Sequence, residues 1–294
     1  MSSCEQCPTK GTCTSPDPEQ CTSGNDRKKG HEKPSAIEKD QTHLLASVRC
    51  AIGICSGKGG VGKSLVTALA AVSLARRGLT VGILDADITG PSIPRSFGLS
   101  GQLSGTDDGI FPAQTHLGIQ VVSINLLLPN QDAPVVWRGP ILSGVVKQFW
   151  TDVIWDGLDV LLIDMPPGTG DVPLTVFQSI PLDGLVMVTT PQDLVSMIVM
   201  KAHNMARMMN VNILGLVENM SYLQCPDCEQ KIRLFGNSQT AEAAAAMNLP
   251  LLDQVPLDPE LSALIDQGKI ENYQPELLNH TVEAISRIIT SRPD

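Results

Sequence analysis

The sequence predicts an α/β fold: a doubly wound, mostly parallel sheet with helices on both faces. Three observations carry this expectation. Short apolar runs recur from about residue 50 to residue 217, stretches of helical composition separate several of them, and a glycine-rich turn lies between the first run and the first helix. Runs such as LDVLLI and GLVMVT are apolar throughout rather than alternating. That pattern belongs to strands buried on both faces, as in a parallel sheet covered by helices on each side.

The elements follow in order. Residues 1–40 are polar, contain no Val or Leu and a single Ile, and bury too little apolar surface to order themselves. They read as a tail or linker unless something binds their cysteines, and residues 41–294 read as the folded domain. Cys50–Cys55 is the first strand, followed by the glycine-rich turn and an Ala/Leu-rich helix reaching Arg77. Further strands are expected at about 79–84, 119–124, 158–163, 184–189 and 211–217, with helices at about 140–150 and 193–209. Near the C-terminus, at about 275–290, Leu277, Leu278, Val282, Ile285, Ile288 and Ile289 fall close to one helical face. The opposite face carries Asn279, His280, Glu283 and Arg287 rather than a basic stripe, so this helix is expected to dock on the sheet and not on a membrane surface.

Composition narrows the function. Lys plus Arg number 21 against 31 Asp plus Glu, a formal net charge of −10, which argues against a non-specific nucleic-acid binder. Hydrophobic residues at 42% and charged residues at 18% are ordinary for a globular chain and exclude wholesale disorder and fibrous architectures. Eight cysteines are many for such a chain. The N-terminus MSSCEQCPTKG lacks the apolar core of a signal peptide, and no apolar run approaches the ~18 residues of a membrane span. Reduced thiols and a cytoplasmic location are therefore expected, with neither nucleic acid nor membrane as a partner.

Gly57-Lys58-Gly59-Gly60-Val61-Gly62-Lys63-Ser64 fits the phosphate-binding loop G-x-x-x-x-G-K-[ST], placed after a strand and before a helix as that motif requires. The glycines let successive backbone N–H groups curl toward phosphate oxygens, and the helix N-terminus adds the positive end of its dipole. Lys63 is expected to neutralise the β- and γ-phosphates, and the Ser64 hydroxyl to ligate Mg²⁺. Asp85 and Asp87 follow one strand, and Asp164 follows another; carboxylates at the carboxyl ends of parallel strands point into the crevice where ligands bind. Asp164 stands where a second carboxylate holds Mg²⁺, through water. Asp85 is expected to orient the loop or the metal shell, and Asp171 is read either as part of the site or as a helix cap.

Lys58 is not needed by a standard loop. Its position resembles the deviant Walker A signature, K-G-G-x-G-K-[ST], of the MinD/ParA/nitrogenase-iron-protein class of dimeric ATPases. The resemblance implies that Lys58 reaches across a homodimer to the partner's nucleotide and that Asp87 positions the attacking water. Taken together, GKGGVGKS, DADITGPS, DMPPGTGD, ENMSY and CPDC, in this order between about 57 and 228, closely resemble the Mrp/ApbC family of iron–sulfur cluster carrier ATPases. That resemblance covers the chain after the tail. It implies an ATPase with slow hydrolysis, an Asn219 that recognises adenine, and a Pro256-Leu257-Asp258 segment that closes over the base. It further implies a [4Fe–4S] cluster bridging the dimer on Cys225 and Cys228 of each protomer, passed on to apoproteins. Two thiolates in one short loop are half of a four-cysteine set, and a two-fold axis supplies the rest. A zinc site of the same geometry, a redox-active pair and an inert pair are the competing readings of the C-x-x-C.

Cys4, Cys7, Cys13 and Cys21 form a second set within the tail. The x2 and x5 spacings of the first three resemble the C-x13-C-x2-C-x5-C motif of the cytosolic scaffold ATPases of the same family, which implies a second [4Fe–4S] cluster, with zinc or no metal as alternatives. The first cysteine of that motif is absent, and Cys21 is the candidate replacement. Cys50 and Cys55 bracket a strand and are expected to be core residues. A positioning ATPase of the ParA/MinD type is the alternative function; it predicts a basic patch or a basic terminal amphipathic helix.

Overall fold

The computed structural model describes residues 40–87, 92–127, 139–192 and 195–292. Its strands are β1 (Ala51–Ser56), β2 (Val81–Asp85), β3 (Gly105–Thr106), β4 (Gly109–Ile110), β5 (Ala113–Gln114), β6 (Gln120–Ser123), β7 (Val160–Asp164), β8 (Gly184–Thr189), β9 (Ile213–Glu218), β10 (Leu223–Gln224), β11 (Lys231–Ile232) and β12 (Leu251–Gln254). The helices are α1 (Lys63–Arg76), α2 (Ile93–Ser96), α3 (Gly139–Thr151), α4 (Asp171–Ser179), α5 (Val195–Met208), α6 (Thr240–Ala246), α7 (Pro259–Asp266) and α8 (Asn279–Ser291). Eight strands form one sheet in the order β12-β9-β8-β1-β7-β2-β6-β5. All neighbours pair in parallel except β5, which runs antiparallel to β6 at the edge.

The apolar runs sort onto the two faces by the two-residue period of a strand. Ile52 and Ile54 of β1, Ile83 of β2 and Leu162 of β7 pack with Val66, Leu69 and Val72 of α1, Leu261 of α7 and Val282, Ile285 and Ile289 of α8. Their chain neighbours Ala51, Cys55, Leu84, Leu161 and Ile163 face the other way, against Phe149 and Trp150 of α3, Phe177 of α4, Ala202 of α5 and Ala244 of α6. The sheet is thus covered on both sides, as the unbroken apolar runs predict. Cys50 and Cys55 are both buried, on opposite faces. Helix α8 docks its apolar face on the sheet, and its Arg287 pairs with Glu283 on the exposed side at 3.0 Å. Among the described residues no helix is long and apolar enough to cross a membrane.

This topology decides where chemistry can occur. β1 lies between β7 and β8, and β7 lies between β1 and β2, so the chain segments leaving β1, β2 and β7 emerge side by side at one edge of the sheet. That is the crevice at the carboxyl ends of the strands where open α/β sheets bind ligands.

Candidate nucleotide site and cysteine hairpin

The loop after β1 runs directly into α1, whose first residue is Lys63. Gly60 and Gly62 adopt φ of 77° and 78°, the left-handed region that L-residues avoid. Gly62 has a second constraint: a Cβ there would collide with Asn219 Nδ2. No side chain caps α1, so the first N–H groups of the helix open toward the loop. Gly59, Gly60, Lys63, Ser64 and Asp87 line a cleft of ≈ 440 Å³, completed by Ile265 of α7. Turned backbone donors, a free helix N-terminus and a lysine together form a phosphate cradle.

Behind the cradle, Lys63 Nζ donates to Asp164 Oδ1 at 2.6 Å and lies 3.5 Å from Asp87 Oδ2. Ser64 Oγ donates to Asp164 Oδ2 at 2.5 Å. Thr67, one helical turn beyond Lys63, donates to Asp164 Oδ1 at 3.0 Å. Asp85 sits next to Asp164 in register across β2 and β7. It accepts from Ser123 Oγ at 2.9 Å and from the Asp87 N–H at 3.2 Å. Burial, then the nearby Asp164 charge, push the Asp85 carboxyl well above the usual carboxylate range, outweighing Lys63 and Ser123. Asp85 is thus a buried acceptor bonded to the turn that carries Asp87. Ser64 Oγ and Asp164 Oδ2 lie side by side, and hard oxygen donors of this kind suit Mg²⁺, which takes one or two protein ligands and completes its shell with phosphate and water.

The structure thus brings Lys63, Ser64, Asp87 and Asp164 together. Lys58 is folded onto its own chain, with Nζ donating to Gln192 Oε1. Asn219 is buried beneath the loop, and its Nδ2 donates to Val61 O at 2.9 Å. Asp171 is the first residue of α4. Pro256-Leu257-Asp258 pairs with the segment leading to the cysteines: the Leu257 N–H donates to Tyr222 O at 2.7 Å, and Asp258 caps α7. Sequence reasoning overlooked Thr67, Ser123 and Gln192. Thr67 was findable, since a residue four positions after Lys63 shares its helix face. Gln192 carries no local signal.

Cys225 and Cys228 occupy the turn between β10 and β11, a small hairpin outside the main sheet. The Cys225 N–H donates to Gln230 O at 3.0 Å, and the turn closes through Glu229 at φ 57°. Both thiols are free, Cys228 exposed and Cys225 half-buried. The backbone N–H groups of Asp227 and Cys228, followed by the Cys228 thiol, hold the Cys225 thiol below its ordinary value. Burial pushes Cys50 and Cys55 the opposite way, to about 11 and about 12. Only the hairpin pair is chemically available among the described cysteines. Among the described residues no group of three or more His, Cys, Asp or Glu side chains gathers as a metal site. Cys4, Cys7, Cys13 and Cys21 lie outside the described residues.

Sheet order, phosphate cradle and the Lys63–Ser64–Asp164 cluster define a P-loop ATPase of the MinD/ParA-like architecture. The sequence comparisons take this further. The profile of the ParA family, described as NUBPL iron-transfer P-loop NTPase, matches residues 47–291, and the chain belongs to that family. A Clostridium perfringens protein named iron-sulfur cluster carrier protein is 44% identical over 94% of this chain and 96% of its own length. One of the same name from Saccharolobus solfataricus is 42% identical over 90% and 88%. Among solved structures, a nucleotide-binding protein from Archaeoglobus fulgidus in complex with ADP superposes with a TM-score of 0.71, at 44% identity over 78% of this chain and 90% of that one. The Pyrococcus furiosus cell division ATPase MinD superposes at 0.57, with 25% identity over 83% and 100%. The resemblance to the iron–sulfur carrier ATPases therefore holds at the level of the family.

Proposed function

We propose that this protein is an ATP-dependent iron–sulfur cluster carrier. In this reading it works as a homodimer whose cargo is a [4Fe–4S] cluster held by Cys225 and Cys228 of both protomers and passed to apoproteins. The observation that carries it is the hairpin itself: two free, accessible thiols in one turn, one of them with a lowered pKa, on a P-loop ATPase whose close relatives bear the carrier name. Each chain offers two thiolates and a four-iron cluster takes four, so a second copy completes the set.

At the nucleotide end, Lys63 leaves Asp164 to neutralise the β- and γ-phosphates, and Lys58 leaves Gln192 for the partner's nucleotide. Ser64, and Asp164 through water, would hold Mg²⁺, which would supply charge neutralisation for phosphoryl transfer. Asp87, 3.5 Å from Lys63, orients the attacking water. Asn219 lies next to the loop with its Nδ2 committed to Val61 O, and its amide oxygen favours adenine, whose amino group donates. In the tail, Cys4, Cys7, Cys13 and Cys21 hold a second [4Fe–4S] cluster or zinc.

Anaerobic reconstitution followed by metal analysis and Mössbauer spectroscopy tests the reading. The expected result is about four iron per dimer at the hairpin, lost in a Cys225→Ala, Cys228→Ala variant. In protein lacking residues 1–40, zinc in place of iron, or iron retained in that variant, would overturn it. Removing residues 1–40 in parallel separates the tail's metal from the hairpin's. The positioning-ATPase reading is disfavoured by α8, whose apolar face is committed to the core.

A further inference from the structure

At the end of β9 two adjacent side chains point to different sites. Asn219 supports the phosphate loop: its Nδ2 donates to Val61 O at 2.9 Å, and the space a Gly62 Cβ would take is filled by that same nitrogen. Glu218 holds the cysteine hairpin. Its Oε1 accepts from Ser221 Oγ at 2.6 Å and from Gln254 Nε2 at 2.8 Å, and its Oε2 accepts from Ser238 Oγ. Ser221 precedes the hairpin and Ser238 follows it, twenty positions beyond Glu218, so one carboxylate closes both ends of the segment that carries Cys225 and Cys228.

This arrangement is unusual for a carboxylate. Glu218 is fully buried, yet the partners of its side chain are neutral hydroxyls and an amide. A buried charge is tolerated when donors saturate its lone pairs, and bonds to an ionised acceptor are shorter and stronger than neutral ones. Burial alone would raise this carboxyl; the bonds from Ser221, Ser238, Thr240 and Gln254 outweigh it and hold it below its ordinary value. Ser238 also accepts from the Thr240 N–H at 3.0 Å, which ties the far end of the hairpin to the start of α6. On the near side, Met220 at φ 57° turns the chain out of the strand, and the Ser221 N–H donates to Val255 O at 2.9 Å. The hairpin is therefore anchored at its base to β9 and β12 and through Tyr222 and Leu223 to Leu257, while residues 226–237 are exposed.

We propose that Glu218 and Asn219 are positioning residues that couple the two sites: a shift of the phosphate loop on binding nucleotide is passed through Asn219 to the adjacent Glu218, which resets the two ends of the cysteine hairpin. The coupling deepens the carrier reading and rests on it for its purpose, but it is measurable without a cluster. A neutral glutamine at 218 removes the ionised acceptor and one of its two oxygens, so the charge-assisted bonds of the clip weaken while the volume is kept. An alanine at 238 removes one end of the clip, and a threonine there keeps the hydroxyl.

The test measures iodoacetamide alkylation of the Cys225/Cys228 peptide by mass spectrometry in the full-length protein, with and without Mg-ADP and a non-hydrolysable Mg-ATP analogue, beside nucleotide affinity and melting temperature. Wild type is expected to change its alkylation rate at least about threefold on binding nucleotide. Glu218→Gln and Ser238→Ala are expected to lose that response while binding nucleotide within about twofold of wild type, and Ser238→Thr to restore it. An unchanged response in both variants, or no response in wild type saturated with nucleotide, overturns the proposal. Coupled thiols in a protein that takes up no iron would leave the coupling standing and remove the carrier reading.

Discussion

Lys63 Nζ and Asp164 Oδ1 lie 2.6 Å apart in the protein interior, where Lys63 is 5% exposed and Asp164 fully buried. The lysine of the phosphate loop is thus held by the carboxylate that, in the proposed reading, would serve Mg²⁺. Lys63 also lies 3.5 Å from Asp87, so its charge is shared between two carboxylates of the site, and in the proposed reading Mg-nucleotide would take over these partners. This pair has a consequence for stability as well as for catalysis.

Removing one member of a buried ion pair leaves the other uncompensated. Lys63→Ala is expected to lower the stability of the nucleotide-free protein by about 3 kcal/mol and to reduce ATP hydrolysis at least ~100-fold, since in the proposed reading the same group faces the transferred phosphate. Urea unfolding and phosphate release measure the two effects. A variant that loses hydrolysis without any loss of stability would show that the pair contributes nothing in the resting state.

Asp85 gives a pH signature. Its folded-state pKa is raised, so between its unfolded value of about 3.9 and the folded value the native protein binds the extra proton, and stability falls as pH rises through that window. Asp85→Asn mimics the protonated form and can keep the bonds to Ser123 and Asp87. The variant is expected to melt higher than wild type at pH 7, with the difference shrinking to nothing as pH approaches ~4. Thermal melts of both proteins across pH 4–8 check it; a constant difference would exclude Asp85 as the titrating group.

Gly62→Ala meets two separate penalties. The φ of 78° costs an L-residue about 1–2 kcal/mol, and the new Cβ meets Asn219 Nδ2. Nucleotide affinity is expected to fall at least ~10-fold. Asn219→Ala in the same chain should recover part of the stability, because the two residues touch, while the backbone penalty persists. Calorimetric titration with ADP and a double-mutant cycle measure this; strict additivity would argue against the contact.

Cysteine reactivity should follow the thiol environments. At pH 7.5 in the folded, metal-free protein, Cys225 is expected to alkylate at least ~10-fold faster than Cys50 and Cys55, whose buried thiols are pushed up to about 11 and about 12. Unfolding in guanidinium should bring the three rates together. Peptide mass spectrometry reads them directly, and equal rates in the folded state would contradict the burial of Cys50 and Cys55.

Much of this architecture is legible in the sequence by itself. Unbroken apolar runs such as LDVLLI mark strands covered on both faces, and the spacing from Gly57 to Ser64 marks a phosphate loop, because both signals are local and periodic. The buried cysteines and the docked C-terminal helix follow from the same patterning. The motifs also gathered Lys63, Ser64, Asp87 and Asp164 at one crevice; what only the tertiary structure decided is which of their atoms pair directly and which other distant residues join them. Lys63 and Asp164 meet because β1 and β7 are neighbours in a sheet whose order differs from chain order, which no local pattern encodes. Glu218 reaches Ser238 across the whole cysteine hairpin, and Lys58 reaches Gln192 from a different strand end, for the same reason. Hydrogen bonds between segments far apart in the chain depend on how close-packed elements stack, so strand order and packing determine them, and the residue types alone do not.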